Sequence, residues 1–159
     1  MNRIDKIIDN SLYRDYMDKI RNAENNRKFC LHGFSHALDV ARIIYIINLE
    51  ENLGFHKDVI YAMALLHDIG RVEEYENGIS HHEAGAIIAR DILAQCDFTD
   101  EEIEAICEAI SNHKSYNGEE RNLKYLLFKA DKLSRNCFDC NMYDECYWDK
   151  DLKNKSIVH

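Results

Sequence analysis

With 159 residues, 46% hydrophobic and 31% charged, the chain has the length of one domain and enough apolar material for one core, which excludes a second catalytic domain and wholesale disorder. A formal charge of −9 excludes a nucleic-acid backbone as the main partner, because phosphate-dominated binding needs an overall basic surface. The opening MNRIDKIIDNSLYRDYMDKI is charged throughout and has no long apolar run, so neither a secretory signal nor a membrane span is expected, and the protein is placed in the cytoplasm. There, six cysteines serve packing, metals or redox chemistry rather than disulfides.

Proline is absent and apolar residues recur at three and four rather than at two, which predicts an all-α, single-domain helical bundle over residues 1–159. A helix is expected over 4–21, a polar loop over 22–28, and a second helix over 35–52, stopped near Gly54. Residues 59–66 are apolar almost all round and read as a central buried helix ending at His67, Asp68 and Gly70. Two further starts carry the capping-box pattern, Ser80 with Glu83 and Thr99 with Glu102, and predict helices over 81–95 and 100–113. A last helix is expected over 120–135, followed by a cysteine-rich segment, 136–159.

The informative feature is where polar residues fall on the apolar stripes. His36 shares a face with Val40, Ile43 and Ile47; His81 with Gly85, Ile88 and Ile92; His113 with Ile103, Ile106 and Ile110. Asp131 continues the face of Leu123, Leu127 and Ala130, where an ionised carboxylate needs a cation or strong hydrogen-bond donors. His67 and Asp68 close the most apolar helix. Any one such histidine is readily explained as a hydrogen-bonded core residue, but six groups over five helices point jointly to a metal.

The order His36, then His67-Asp68, then Asp131 resembles the H…HD…D signature of HD-domain metal-dependent phosphohydrolases, over about residues 30–135. HGFSHALDVARI looks like that family's first metal helix and ALLHDIGR like its central segment; HHEAGA, AISNHK and FKADKL resemble the later elements. The resemblance implies one or two divalent ions (iron, manganese, cobalt, nickel or zinc). His36, His67, Asp68 and Asp131 would hold the first, and Asp68 would bridge to a second held by His81 and His113. The extra histidines resemble the variant found in HD hydrolases that split diadenosine tetraphosphate symmetrically and in HD-type cyclic-dinucleotide phosphodiesterases. The four-residue offset to Gly85 favours His81 over His82. The segment after Asp131, SRNCFDC, departs from the tetraphosphate hydrolases.

The implied activity is hydrolysis of a phosphate ester or anhydride of a small phosphorylated compound, such as a nucleotide, by a metal-activated water. Asp68 and Arg71 are the candidate catalytic residues, Arg71 binding a phosphate oxygen or the leaving group. Lys114, Lys132 and Arg135 lie beside expected ligands and are candidate substrate-binding cations, the alternative being that they face solvent. His32, four before His36, either orients it or simply precedes the helix, and His56 reads as surface. Cys137, Cys140 and Cys146 have spacing suited to zinc or an iron–sulfur cluster, with Cys30 a distant fourth; the alternative is free thiols. Cys96 and Cys107 read as core. Two other classes stay open, a di-iron oxygenase on the same fold and a noncatalytic binding module, as does the oligomeric state.

Overall fold

The computed structural model describes residues 2–159, and among them there are helices and loops without strands. Eight α-helices follow in chain order: α1 Arg3–Asp9, α2 Ser11–Ala23, α3 Phe34–Glu50, α4 Lys57–Leu66, α5 Arg71–Asn77, α6 His81–Leu93, α7 Asp100–Ser111 and α8 Leu123–Leu133. The all-helical bundle expected from the periodicity is therefore the observed fold. No helix among the described residues is long and apolar enough to cross a membrane.

The expected central helix is α4, in which Val59, Ile60 and every residue from Ala62 to Leu66 are buried. α3 lies against α4 and α8, while α7 packs on α4, α6 and α8, so α4 is enclosed on several sides. Ile44, Ile47, Ile60, Met63, Leu66, Ile92, Ile106 and Ile110 are each below 2% exposed and fill the space between these helices. Burying such side chains contributes about 1.5–3 kcal/mol apiece before chain entropy is subtracted.

Several boundaries differ from the sequence expectation, each for a local reason. The single helix expected over 4–21 is broken at Asn10, whose side chain accepts hydrogen bonds from the amides of Leu12 and Tyr13 and so starts a new helix. The Thr99 capping box forms in full, but Ser80 makes no side-chain cap bond, so the second expected box is absent. α8 starts later than expected, where Asn122 accepts from the Tyr125 amide. α5 was not anticipated; it ends on Gly78 at φ 69, a left-handed position that glycine adopts without steric cost. Cys107 is buried within α7, whereas Cys96 is buried in the turn beyond α6.

The segment after α8 contains one short 3-10 turn, Cys137–Asp139, and folds back on the core. Asn154 donates to the carbonyls of Lys132 and Arg135, both at 2.7 Å, and buried Lys153 donates to the Tyr143 and Cys146 carbonyls. Tyr147 meets Phe29 edge to face at 6.0 Å, which closes the segment over the loop between α2 and α3.

Candidate metal centre and its cavity

The polar groups on the apolar stripes all emerge at helix ends on one side of the bundle. His36 lies in the first turn of α3, His67 and Asp68 just past α4, and Asp131 in the last turn of α8. One ligand-type atom from each of these four lies within 4.8 Å of the other three. A second group forms beside it from His81 and His82 in the first turn of α6 and His113 just past α7, under the same limit.

Each imidazole is oriented by its other nitrogen. The Nδ1–H of His67 donates to the Ala64 carbonyl at 2.7 Å, and that of His113 to the Ile110 carbonyl at 2.6 Å. His81 Nδ1–H donates to Glu74 Oε2 at 2.9 Å. The Ser134 hydroxyl donates to the Asp131 carbonyl at 2.7 Å, so it accepts from His36 Nδ1–H at 3.2 Å. In the neutral form of all four rings the proton is thereby placed on Nδ1, which leaves on Nε2 the lone pair that a metal requires.

The inward atoms lack ordinary partners. His67 Nε2, Asp68 Oδ2 and Asp131 Oδ1 are buried without a hydrogen bond of good geometry. Orphaned polar atoms normally cost several kcal/mol, and here nitrogen and carboxylate oxygen converge as divalent metals prefer. The donor set fits a cation. The charges agree: burial acts to lower His67, but Asp68 and Asp131 raise it to about 10, so the two carboxylates demand positive charge between them. Burial likewise acts to raise Asp68, yet the His67 charge first, and then the His36 imidazole and the Arg71 guanidinium beside it, hold it well below the usual carboxylate range.

Asp68 divides its oxygens between the groups. Oδ2 lies 3.0 Å from His67 Nε2 and 3.5 Å from His36 Nε2, while Oδ1 lies 3.7 Å from His81 Nε2. Oδ1 also accepts from Arg71 Nε at 3.0 Å, and Arg71 Nη1 donates to Glu74 Oε2 at the same distance. A guanidinium thus occupies the oxygen nearest the second histidine group. Burial first, and then the Arg71 charge, pull His81 down to about 2.

A cavity of roughly 360 Å³ opens beside the four-residue group, within the range of small-molecule sites. Its wall carries His36, Asp131, Arg71 and Arg135 together with Phe29, Tyr143, Tyr147 and Trp148. Arg135 Nη2 donates to His36 Nε2 at 3.1 Å and Nη1 to the Leu31 carbonyl at 3.0 Å. Lys132 rests its ammonium on the Phe128 ring at 4.0 Å, and Lys114 is exposed; neither lines this cavity. Cys30, Cys137, Cys140 and Cys146 all line it.

Three features go beyond the sequence reading, which weighs His32 only as an orienter of His36 and favours His81 over His82. His82, in the same first turn of α6, joins His81, its Nδ1 lying 3.2 Å from His81 Nε2. His32 is buried, and its Nδ1–H and backbone N–H both bind the Glu24 carboxylate, which also accepts from the Tyr75 hydroxyl at 2.6 Å. His32 lines the cavity with Nε2 unengaged by these bonds. The eight-residue offset from Glu24 spans a loop, where no periodicity signals proximity. The aromatic wall is contributed mainly by the irregular tail.

A family model described as HD domain matches residues 33–136. An uncharacterized protein of Clostridium beijerinckii is 43% identical over 159 residues, 100% of both chains. No solved structure matches the chain. The matched span opens just before His36, closes just after Asp131 and covers more than half of the sequence; the chain belongs to the HD-domain family.

Proposed function

We propose that this protein is a metal-dependent phosphohydrolase acting on a small phosphorylated compound, with a nucleotide the best fit to the cavity. The observation that carries the reading is the set of orphaned buried nitrogen and oxygen atoms on His67, Asp68 and Asp131, converging with His36 at the wall of a cavity that Arg71 and Arg135 also line. His36, His67, Asp68 and Asp131 would hold a divalent cation. When bound, such an ion supplies Lewis acidity toward a water nucleophile and toward phosphoryl oxygens.

The chain's own residues do the rest. Arg71 and Arg135 present planar donors that match phosphate geometry and offset charge building on the phosphoryl group. His32 is kept neutral, since burial lowers it by more than Glu24 raises it, and its Nε2 is available to take a proton from the attacking water. Phe29, Tyr147 and Trp148 line the same cavity as His36 and Asp131 and offer flat apolar faces for a base. Lys114 and Lys132 would act only at longer range.

The test is elemental analysis of anaerobically purified protein, then phosphate release from a panel of nucleotides and phosphomonoesters with each metal restored. Turnover with a restored metal supports the reading. Nucleotide binding without turnover on any member would replace it with a noncatalytic module, and substrate-dependent oxygen uptake without phosphate release would replace it with an oxygenase.

A further inference from the structure

Four of the six cysteines have no part in this chemistry, yet they are brought together. Cys30 comes from the loop before α3, and Cys137, Cys140 and Cys146 from the tail more than 100 residues later; all four face one cavity. They are not core filler. Cys96 and Cys107 are buried at 1% and 5% exposure, whereas Cys140 is exposed and the other three are partly so. The tail is wound to return its thiols: the Cys140 amide donates to the Cys137 carbonyl at 3.2 Å, Tyr143 to Cys140 at 3.1 Å, and Cys146 to Met142 at 2.9 Å.

We propose that Cys30, Cys137, Cys140 and Cys146 ligate a thiophilic metal centre, which staples the tail to the core and holds Tyr147 and Trp148 over the cavity. Four thiolates around zinc or an iron–sulfur cluster leave net negative charge, and cations stand ready to offset it. Lys153 is only 6% exposed with its ammonium on the Tyr143 and Cys146 carbonyls, and Arg27 and Arg135 line the same wall.

The width of the ring bears on the ion. Tetrahedral zinc with bonds of about 2.3 Å needs sulfurs roughly 3.8 Å apart. Among the described residues no three cysteine sulfurs come within 4.8 Å of one another, so the thiols would have to draw together around one zinc, and less so around the wider span of a cluster of several irons. A metal that links residue 30 to residues 137–146 would add its binding energy to the stability of the tail.

The inference does not depend on the phosphohydrolase reading, and a sulfur signal separates the two, because the histidine–aspartate centre offers only nitrogen and oxygen. Protein purified without oxygen is expected to show a sulfur shell at about 2.3 Å in X-ray absorption. It should contain about four irons with four sulfides, or about one zinc, beyond the metal held elsewhere. Asp68→Asn should leave that shell in place. Cys137→Ser with Cys140→Ser should remove it, red-shift the fluorescence of Trp148, the one tryptophan, and expose the tail to protease; Cys107→Ser should do none of these. Should the double variant fail to fold, the native spectrum still decides. A native protein with nitrogen and oxygen neighbours only, and with the four thiols freely reactive, would overturn the proposal.

Discussion

The relation between the two histidine groups rests on a backbone contact that can be broken by one methyl group. Gly70, in the turn between α4 and α5, has φ −79 and ψ 0, a conformation open to any residue, so glycine is there for space. A Cβ at Gly70 would stand 2.2 Å from the His81 carbonyl oxygen and 2.5 Å from the Gly85 nitrogen, both backbone atoms at the start of α6. To reach the 3.0 Å below which Cβ contacts are essentially never seen, α6 must retreat by at least 0.8 Å, the difference of those figures. Gly70→Ala is therefore expected to cost about 3 kcal/mol, the upper end of overpacking, and to lower the melting temperature by roughly 6–12 °C. It would also carry His81 away from Asp68, and misplacement on the order of 1 Å costs about 100-fold in rate. Gly85→Ala is the matched control: its Cβ meets nothing closer than 3.5 Å, and the helix gains about 1 kcal/mol of propensity. Thermal melts and, where turnover is found, kcat should rank Gly85→Ala at or above the parent and Gly70→Ala well below it. Equal melting of Gly70→Ala and the parent would refute the close approach.

Asp68→Ala, which removes the carboxylate facing both histidine groups, is expected to abolish metal retention and turnover together, read by elemental analysis and phosphate release; unchanged activity would exclude the centre. Arg71→Met should free Asp68 Oδ1 and remove a cation beside His81, raising total bound metal by about one equivalent in elemental analysis. Glu24 gives a pH signature: burial acts to raise it, but the His32 and Tyr75 hydrogen bonds bring it to about 2 from 4.5. A depressed acid stabilises above its unfolded pKa, so about 3 kcal/mol should be present above pH 4.5 and fade as pH falls toward 2. Urea midpoints should therefore lose less on acidification in Glu24→Gln than in the parent. Thr99→Ala should cost about 1 kcal/mol by denaturant titration and Ser80→Ala less than about 0.5, since only the first cap bond is made.

What could be read before folding was whatever repeats along a helix. The stripe of Val40, Ile43 and Ile47 placed His36 inward, and the stripe of Leu123, Leu127 and Ala130 placed Asp131, because a helix fixes direction every three or four residues. Groups fixed by loops left no such trace. Glu24 and His32 meet across a turn, and Cys30 shares a cavity wall with the tail cysteines across most of the chain. Arg71 was legible as a neighbour of Asp68 but not as the donor to its Oδ1. Helix starts were legible only in part: Asn10 divides what the apolar pattern joins, since a side chain that caps leaves hydrophobic spacing unchanged.

The two histidine groups share Asp68 but are not equivalent. On one side, Oδ2, Asp131 Oδ1 and His67 Nε2 are buried without partners, an arrangement whose cost is removed by a cation. On the other, Oδ1 already holds a guanidinium, which Glu74 ties to the His81 ring. The first group also stands at the cavity wall through His36 and Asp131, while His81, His82 and His113 do not line that cavity. A charge placed in the first group therefore meets both unsatisfied ligands and incoming substrate; one placed in the second must first displace Arg71 and then acts through Asp68. On the proposed function, this asymmetry would give the first ion to the chemistry and would make Arg71 the residue that sets how readily a second one enters.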